Sequence, residues 1–197
     1  MPRELSRSHH LLHVALAYNL TKREEFADFL ITQIINWIDE NPLMYSINWG
    51  CAMDVSIRAV NWIWCLGLLS DYDWGKYDKE LSQIEESLFQ HGWFIFRNLE
   101  GSIFNYTNNH YISNLSGLIF LGQLFNSTRD GKKWLDYGRS SFYREIRIQI
   151  IIVYLQQECL IITNQKICFK GTNSCGWERQ GWRSKNFRYY RGIKYCS

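Results

Sequence analysis

The chain has 197 residues, 46% hydrophobic and 16% aromatic, which excludes a disordered polymer and suffices for one domain with a sizeable core. The net charge of +3 is unevenly spread: residues 1–150 carry 14 basic and 17 acidic side chains, residues 151–197 eight and two. No apolar run approaches a membrane span, and because Met1-Pro2-Arg3 leads straight into a helical pattern no signal peptide is expected.

Leu5, Leu11, Leu12, Ala15 and Leu16 recur at helical spacing and predict a helix over 4–20. Thr21-Lys22-Arg23-Glu24 has the form of a capping box and opens a second helix, with Phe26, Phe29, Leu30, Ile34, Ile35, Trp37 and Ile38 on its apolar side. Asn41-Pro42 ends it. A loop with Ser46-Ile47-Asn48-Trp49-Gly50 follows. A third helix runs from about Ala52 to Leu69, through Val55, Ala59, Trp62, Ile63 and Leu66. Asp71 to Gly75 is a turn. A fourth helix covers about Asp78 to Leu99, and the polar, Asn-rich stretch from Glu100 to Asn109 is a loop. A fifth helix runs from about Tyr111 to Phe125 and a sixth from Gly131 to Ile150.

Six helices joined by short loops, with almost no β-branched alternation before residue 150, imply an all-α fold of antiparallel hairpins. Such hairpins stack as an array or curl into a toroid, and periodicity does not choose. Residues 1–150 are expected to form the helical domain, and 151–197 an irregular basic tail. Ile150 to Leu155 suits strand or helix, and Gly171, Gly176, Gly181 and Gly192 break any later period. Cys51 and Cys65 read as small core residues. Cys159, Cys168, Cys175 and Cys196 form no C-x-x-C pair, so neither a metal site nor a cofactor is expected. The tail interleaves basic residues with Trp182, Phe187, Tyr189 and Tyr190, but in no nucleic-acid-binding module, and no nucleic acid partner is expected.

Three segments together resemble the helical domain of bacterial heparinase II/III and alginate lyase type polysaccharide lyases. The first is Glu4-Leu5-Ser6-Arg7 with His10-Leu11-Leu12 and the stretch from Ala15 to Thr21. The second is Asn41-Pro42, Ile47-Asn48-Trp49, Ala52-Met53-Asp54-Val55 and Arg58-Ala59-Val60-Asn61-Trp62. The third is Asn109-His110-Tyr111 with the stretch from Gly117 to Gly122. The resemblance covers residues 2–150. It implies an incomplete toroid of α/α hairpins, an acidic polysaccharide as partner, and cleavage by β-elimination at a uronic acid. Members are often periplasmic.

In that chemistry the proton removed lies α to a carboxylate. A neutral amide or imidazole beside the carboxylate stabilises the charge that develops. A Tyr or His takes the C5 proton and protonates the leaving oxygen. The resemblance places Asn109 against the carboxylate and His110 beside it as acid/base or hydrogen-bond partner, at a helix N-terminus that favours anions. From the residues alone, Asn109 equally suits an N-cap. Arg7, His10, Asn48, Trp49, Arg58 and Trp62 are candidates for the substrate cleft: an Arg fork suits a carboxylate, and an indole suits a sugar face. Arg58 and Trp62 also suit mutual packing along one helix. His9, His13 and His91 show no partner and are expected in core or surface roles.

The chain departs from the family where a catalytic Tyr-His pair is expected, near residue 163, because it reads Leu160-Ile161-Ile162-Thr163-Asn164. Ile161-Ile162-Thr163 can be encoded ATT-ATC-ACC, which two bases on contains TAT-CAC, the codons for Tyr-His. A shifted reading frame near residue 150 would also give the tail its composition. The abrupt start resembles the middle of a family member. The expectation is a lyase fragment, weakly active or inactive alone. The alternative is a non-catalytic helical hairpin array that binds a protein partner or an acidic polymer.

Overall fold

A computed structural model describes the backbone of residues 3–101, 108–168, 187–190 and 193–196, and the side chains of 4–101 and 108–150 except 149. The chain divides into two compact units, residues 1–153 and 154–197. The first is built of helices: α1 (Arg3–Ser6), α2 (His9–Thr21), α3 (Glu24–Glu40), α4 (Ala52–Leu68), α5 (Asp78–Arg97), α6 (Asn109–Leu124) and the start of α7 (Arg129–Cys168). The fold is all-α, as the spacing of apolar residues predicts. In the second unit α7 continues to Cys168, and Phe187–Tyr190 pairs antiparallel with Ile193–Cys196. The helix outruns the expected stop at residue 150 because no Gly or Pro interrupts the chain before Gly171. The glycine-rich part of the expected irregular tail lies largely outside the described residues.

The predicted first helix is interrupted. Ser8 takes a left-handed conformation with φ 61°, separating α1 from α2. The capping box expected at Thr21 is also absent. Thr21 is the last residue of α2 and donates its hydroxyl back to the Ala17 carbonyl at 2.7 Å, while the N-cap residue of α3 is Arg23, whose side chain makes no capping bond. Lys22, with φ 56°, closes α2 by donating its N–H to the Tyr18 carbonyl. Asn41 ends α3 as expected, its amide donating to the Trp37 carbonyl at 2.8 Å.

Helix α4 is the hub, packing against α2, α5 and α6. It buries Ala52, Asp54, Val55, Ser56, Arg58, Ala59, Asn61, Trp62 and Cys65, residues on every side, as a helix enclosed by neighbours must. Helices α2 and α3 each present one apolar stripe, Leu11-Ala15-Tyr18 and Ala27-Leu30-Ile31-Ile34. Phe29, expected on the apolar side of α3, is half exposed. Complete burial of a Leu or Ile side chain contributes about 1.5–3 kcal/mol, so these stripes fix which faces meet. The close approach of α4 and α6 depends on Gly117, where an added Cβ would lie 2.8 Å from Ser56 Cβ. That approach brings the N-terminal ends of the two helices together.

Candidate active site and its carboxylate junction

Asn108, not Asn109, caps α6. Its side-chain oxygen accepts the Tyr111 N–H at 2.8 Å, and its backbone is extended. Asn109 is thereby released from capping. It is the first residue of the helix, exposed, with no side-chain hydrogen bond among the described residues. His110 follows, 40% exposed, with Nδ1 3.3 Å from Glu100 Oε1. Because a carboxylate oxygen accepts, Nδ1 carries the hydrogen and Nε2 is left to meet another group.

Glu100 went unnoticed in the sequence, yet it organises this corner. Its Oε2 accepts the Met53 N–H at 2.8 Å and the Asn114 amide at 3.4 Å. Its Oε1 accepts from His110 and from the Cys51 thiol, the latter at 3.5 Å. Its own N–H donates to Asn114 Oδ1 at 2.8 Å, and its carbonyl accepts from the Asn108 amide at 3.4 Å. The carboxylate therefore supplies the cap that Cys51, the N-cap residue of α4, does not provide with its side chain. It also ties α4 to α6. A negative charge at two helix N-termini is favourably placed. No local pattern announces a lone Glu at the head of a polar loop, and its partners Cys51 and Met53 stand 49 and 47 residues upstream. Cys51 is correspondingly half-buried at a helix end, not in the core as expected, whereas Cys65 is fully buried. Burial pushes the Cys65 thiol up to about 12 and also raises that of Cys51, where Asp54 and Glu100 add to the effect.

The six cleft candidates separate into two groups. Arg58, Trp62 and Trp49 are in the core, at 0%, 0% and 4% exposure. The Arg58 guanidinium lies 4.0 Å from the centroid of the Trp37 ring and 5.3 Å from that of Trp49. It donates to His91 Nε2 at 2.9 Å, to Ser6 Oγ at 3.0 Å and to the Ser6 and Asn48 carbonyls at 3.3 Å. Its fork is thus spent on the protein, and it is a buried cation. Burial lowers it to about 9, still high enough to stay charged at neutral pH. His91 has the partner that the sequence did not reveal. Its Nδ1–H donates to the Ser87 carbonyl at 2.6 Å, while burial and the adjacent Arg58 hold its pKa well below 6.5. The indoles of Trp62 and Trp49 donate inward, to Ser8 Oγ at 3.1 Å and the Asn41 carbonyl at 3.0 Å.

Arg7 is part-buried and paired with Asp54 at 2.7 Å and Glu4 at 2.8 Å. His10 and Asn48, with Trp37 and the edge of Trp62, line a cleft of about 380 Å³ between α1, α2, α3 and the loop after α3. Asn109 and His110 are not among its walls. Among the described residues His10 and Asn48 therefore line the cleft with the edge of Trp62, Asn109 and His110 lie at the junction, and Arg7, Trp49 and Arg58 line neither.

Residues 2–161 match the family described as Heparinase II/III N-terminus. The chain belongs to that family. Membership places it among polysaccharide lyases and agrees with the all-α architecture. No curated protein and no solved structure matches it significantly. The match ends just before residue 163, where the Tyr-His pair of the resemblance would stand; side chains from 151 onward, and with them the proposed shift of reading frame, lie outside the described residues. Among the described residues no helix is long and apolar enough to cross a membrane.

Proposed function

We propose that this chain carries the helical half of a lyase site for uronic-acid-containing polysaccharide, with Asn109 and His110 facing the sugar carboxylate. The observation that carries the reading is the capping arrangement. Asn108 takes the structural task and leaves an uncommitted amide, Asn109, at a helix N-terminus beside an imidazole. In β-elimination a base removes the C5 proton, the C5–H electron pair forms the C4–C5 double bond, and the C4–O bond breaks with a proton passing to the leaving oxygen. An amide donor at the carboxylate stabilises the enolate-like charge in between. His110, its Nδ1–H held by Glu100, presents Nε2 for proton transfer or hydrogen bonding.

With Leu160-Ile161-Ile162-Thr163-Asn164 where the family's Tyr is expected, turnover by this chain is expected to be weak or absent. The test is the ultraviolet absorbance of an unsaturated uronate product. The chain, Asn109→Ala and His110→Ala are incubated with a panel of acidic polysaccharides, including heparan-like and alginate-like polymers. A rise in the parent that is lost in both variants supports the site. A rise that survives both substitutions removes them from the chemistry.

The burial of Arg58, Trp49 and Trp62 favours a second reading, a helical array that holds an acidic polymer or protein without cleaving it. Saturable binding of one polymer with no absorbance change would favour it.

A further inference from the structure

Cys51, Glu100 and His110 lie in three different parts of the sequence and converge at one point. Cys51 Sγ is 3.5 Å from Glu100 Oε1, His110 Nδ1 is 3.3 Å from the same oxygen, and the three ligand atoms lie within 4.8 Å of one another. A tetrahedral zinc ion, with bonds of about 2.3 Å to sulfur and about 2.0–2.1 Å to nitrogen and oxygen, separates its S and O ligands by about 3.5 Å and its N and O ligands by about 3.3 Å. We propose that these three side chains form a site for a divalent cation of the zinc class, with one coordination position open. The proposal does not rest on the lyase reading. It follows from the geometry of the donors and holds whether or not the chain cleaves a sugar.

The donor set selects the metal. One thiolate, one imidazole and one carboxylate suit a borderline-soft ion, while magnesium and calcium prefer all-oxygen shells. Three protein ligands and a free position are the arrangement of an ion that also binds water or a substrate. All three donors are part-buried, so the site is neither sealed nor fully washed by solvent.

The surroundings hold these donors in place. Cys51 is fixed as the N-cap of α4 and His110 as the second residue of α6. Glu100 has its second oxygen engaged by Met53 N–H and Asn114, and Asn114 reaches Ser56 Oγ at 3.5 Å. Such outer contacts orient ligands, and their loss typically weakens metal affinity about 10–100-fold. The entering dication replaces the Cys51 thiol hydrogen, and the hydrogen on His110 Nδ1 moves to Nε2 as Nδ1 becomes a ligand, so one proton leaves for each ion bound and affinity rises with pH. The sequence expects no metal because its cysteines lack short-range spacing, whereas these ligands stand 49 and 10 residues apart along the chain.

The test is a cobalt titration of the full chain, followed by the thiolate-to-cobalt charge-transfer band, with zinc stoichiometry measured by equilibrium dialysis. Cys65 and the tail cysteines are the competing thiols, so Cys65→Ser and a variant with Cys159, Cys168, Cys175 and Cys196 all changed to Ser are run in parallel. The expected result is one ion per chain and a thiolate band that persists in both of these controls. Cys51→Ser abolishes the band, and Glu100→Gln and His110→Ala weaken binding at least about tenfold. Glu100→Gln retains an acceptor for the Met53 N–H, so the helix end stays capped, and circular dichroism confirms the fold of each variant. A band that survives Cys51→Ser, a band lost with the tail or Cys65 cysteines, or a folded parent chain that binds no cobalt overturns the proposal. Asn109→Ala separates the two readings: it should bind cobalt like the parent even if polysaccharide cleavage or binding is lost.

Discussion

Replacing Arg58 by Met tests whether this arginine holds the fold together or grips substrate. Met keeps much of the aliphatic stem and removes the guanidinium from between Trp37 and Trp49. Four acceptors lose a donor: His91 Nε2, Ser6 Oγ, the Ser6 carbonyl and the Asn48 carbonyl. Ser6 Oγ keeps the Trp37 indole N–H at 3.3 Å, and Asn48 is near enough to the surface for water to replace its lost donor. That leaves one fully buried acceptor, His91 Nε2, and one largely buried acceptor, the Ser6 carbonyl. Each orphan costs about 1–3 kcal/mol, and the cation–π contact adds about 2 kcal/mol when desolvated. Against this stands relief of the penalty for burying a charge, several kcal/mol in a protein interior. The net expectation is a loss of about 2–4 kcal/mol. For a domain of this size that lowers Tm by roughly 4–16 °C. Urea unfolding followed by far-ultraviolet circular dichroism measures it, with polysaccharide binding assayed on the same samples. An unchanged urea midpoint together with lost polysaccharide binding would falsify the core role of Arg58 and return it to the substrate cleft.

His91 gives a pH signature. Its folded pKa is held well below the ordinary 6.5, so below about 6.5 the unfolded chain binds a proton that the folded chain refuses, and stability falls by up to about 1.4 kcal/mol per pH unit. The contribution is complete above pH 6.5 and is lost on acidification. Unfolding free energies from pH 7.5 down to about 5 should show this slope in the parent and a shallower one in His91→Gln; identical slopes would mean that His91 is not the neutral buried partner of Arg58. At the start of α6, Asn108→Ala should cost about 1 kcal/mol through the lost cap, while Asn109→Ala should change stability by less than about 0.5 kcal/mol. If urea midpoints show the reverse order, Asn109 is the cap, and its place in the site is withdrawn.

The helices were legible because their signals are local. The stripe Ala27-Leu30-Ile31-Ile34 and the stop at Asn41-Pro42 are written within a few turns of chain. The third segment of the resemblance likewise drew attention to Asn109 and His110, since a helix start and a dipeptide are contiguous. What escaped depends on partners far apart. Arg58 reads as a cleft fork or as packing against Trp62 until His91, 33 residues on, and Ser6, 52 residues back, enclose it. Glu100 looks like an ordinary loop acid until the packing of Gly117 on Ser56 brings the start of α4 beside the start of α6. The break at Ser8 was missed because a single left-handed residue leaves the apolar spacing on either side intact.

Charge links the junction to its proposed substrate. A glutamate beside a site meant for a uronate is at first sight adverse, since two like charges about 5 Å apart repel by about 3 kcal/mol at an effective dielectric near 20. The N-termini of α4 and α6 each contribute about half a positive charge, which together offset the Glu100 carboxylate and leave the corner close to neutral. A bound dication, with Cys51 giving up its proton, adds two positive charges and one negative. The corner then carries about one net positive charge, with Asn109 uncommitted at its edge. The same three donors would thus convert a neutral helix junction into an anion-attracting one. Glu100 would hold the metal without itself repelling the sugar, because its charge is already absorbed by the helix ends.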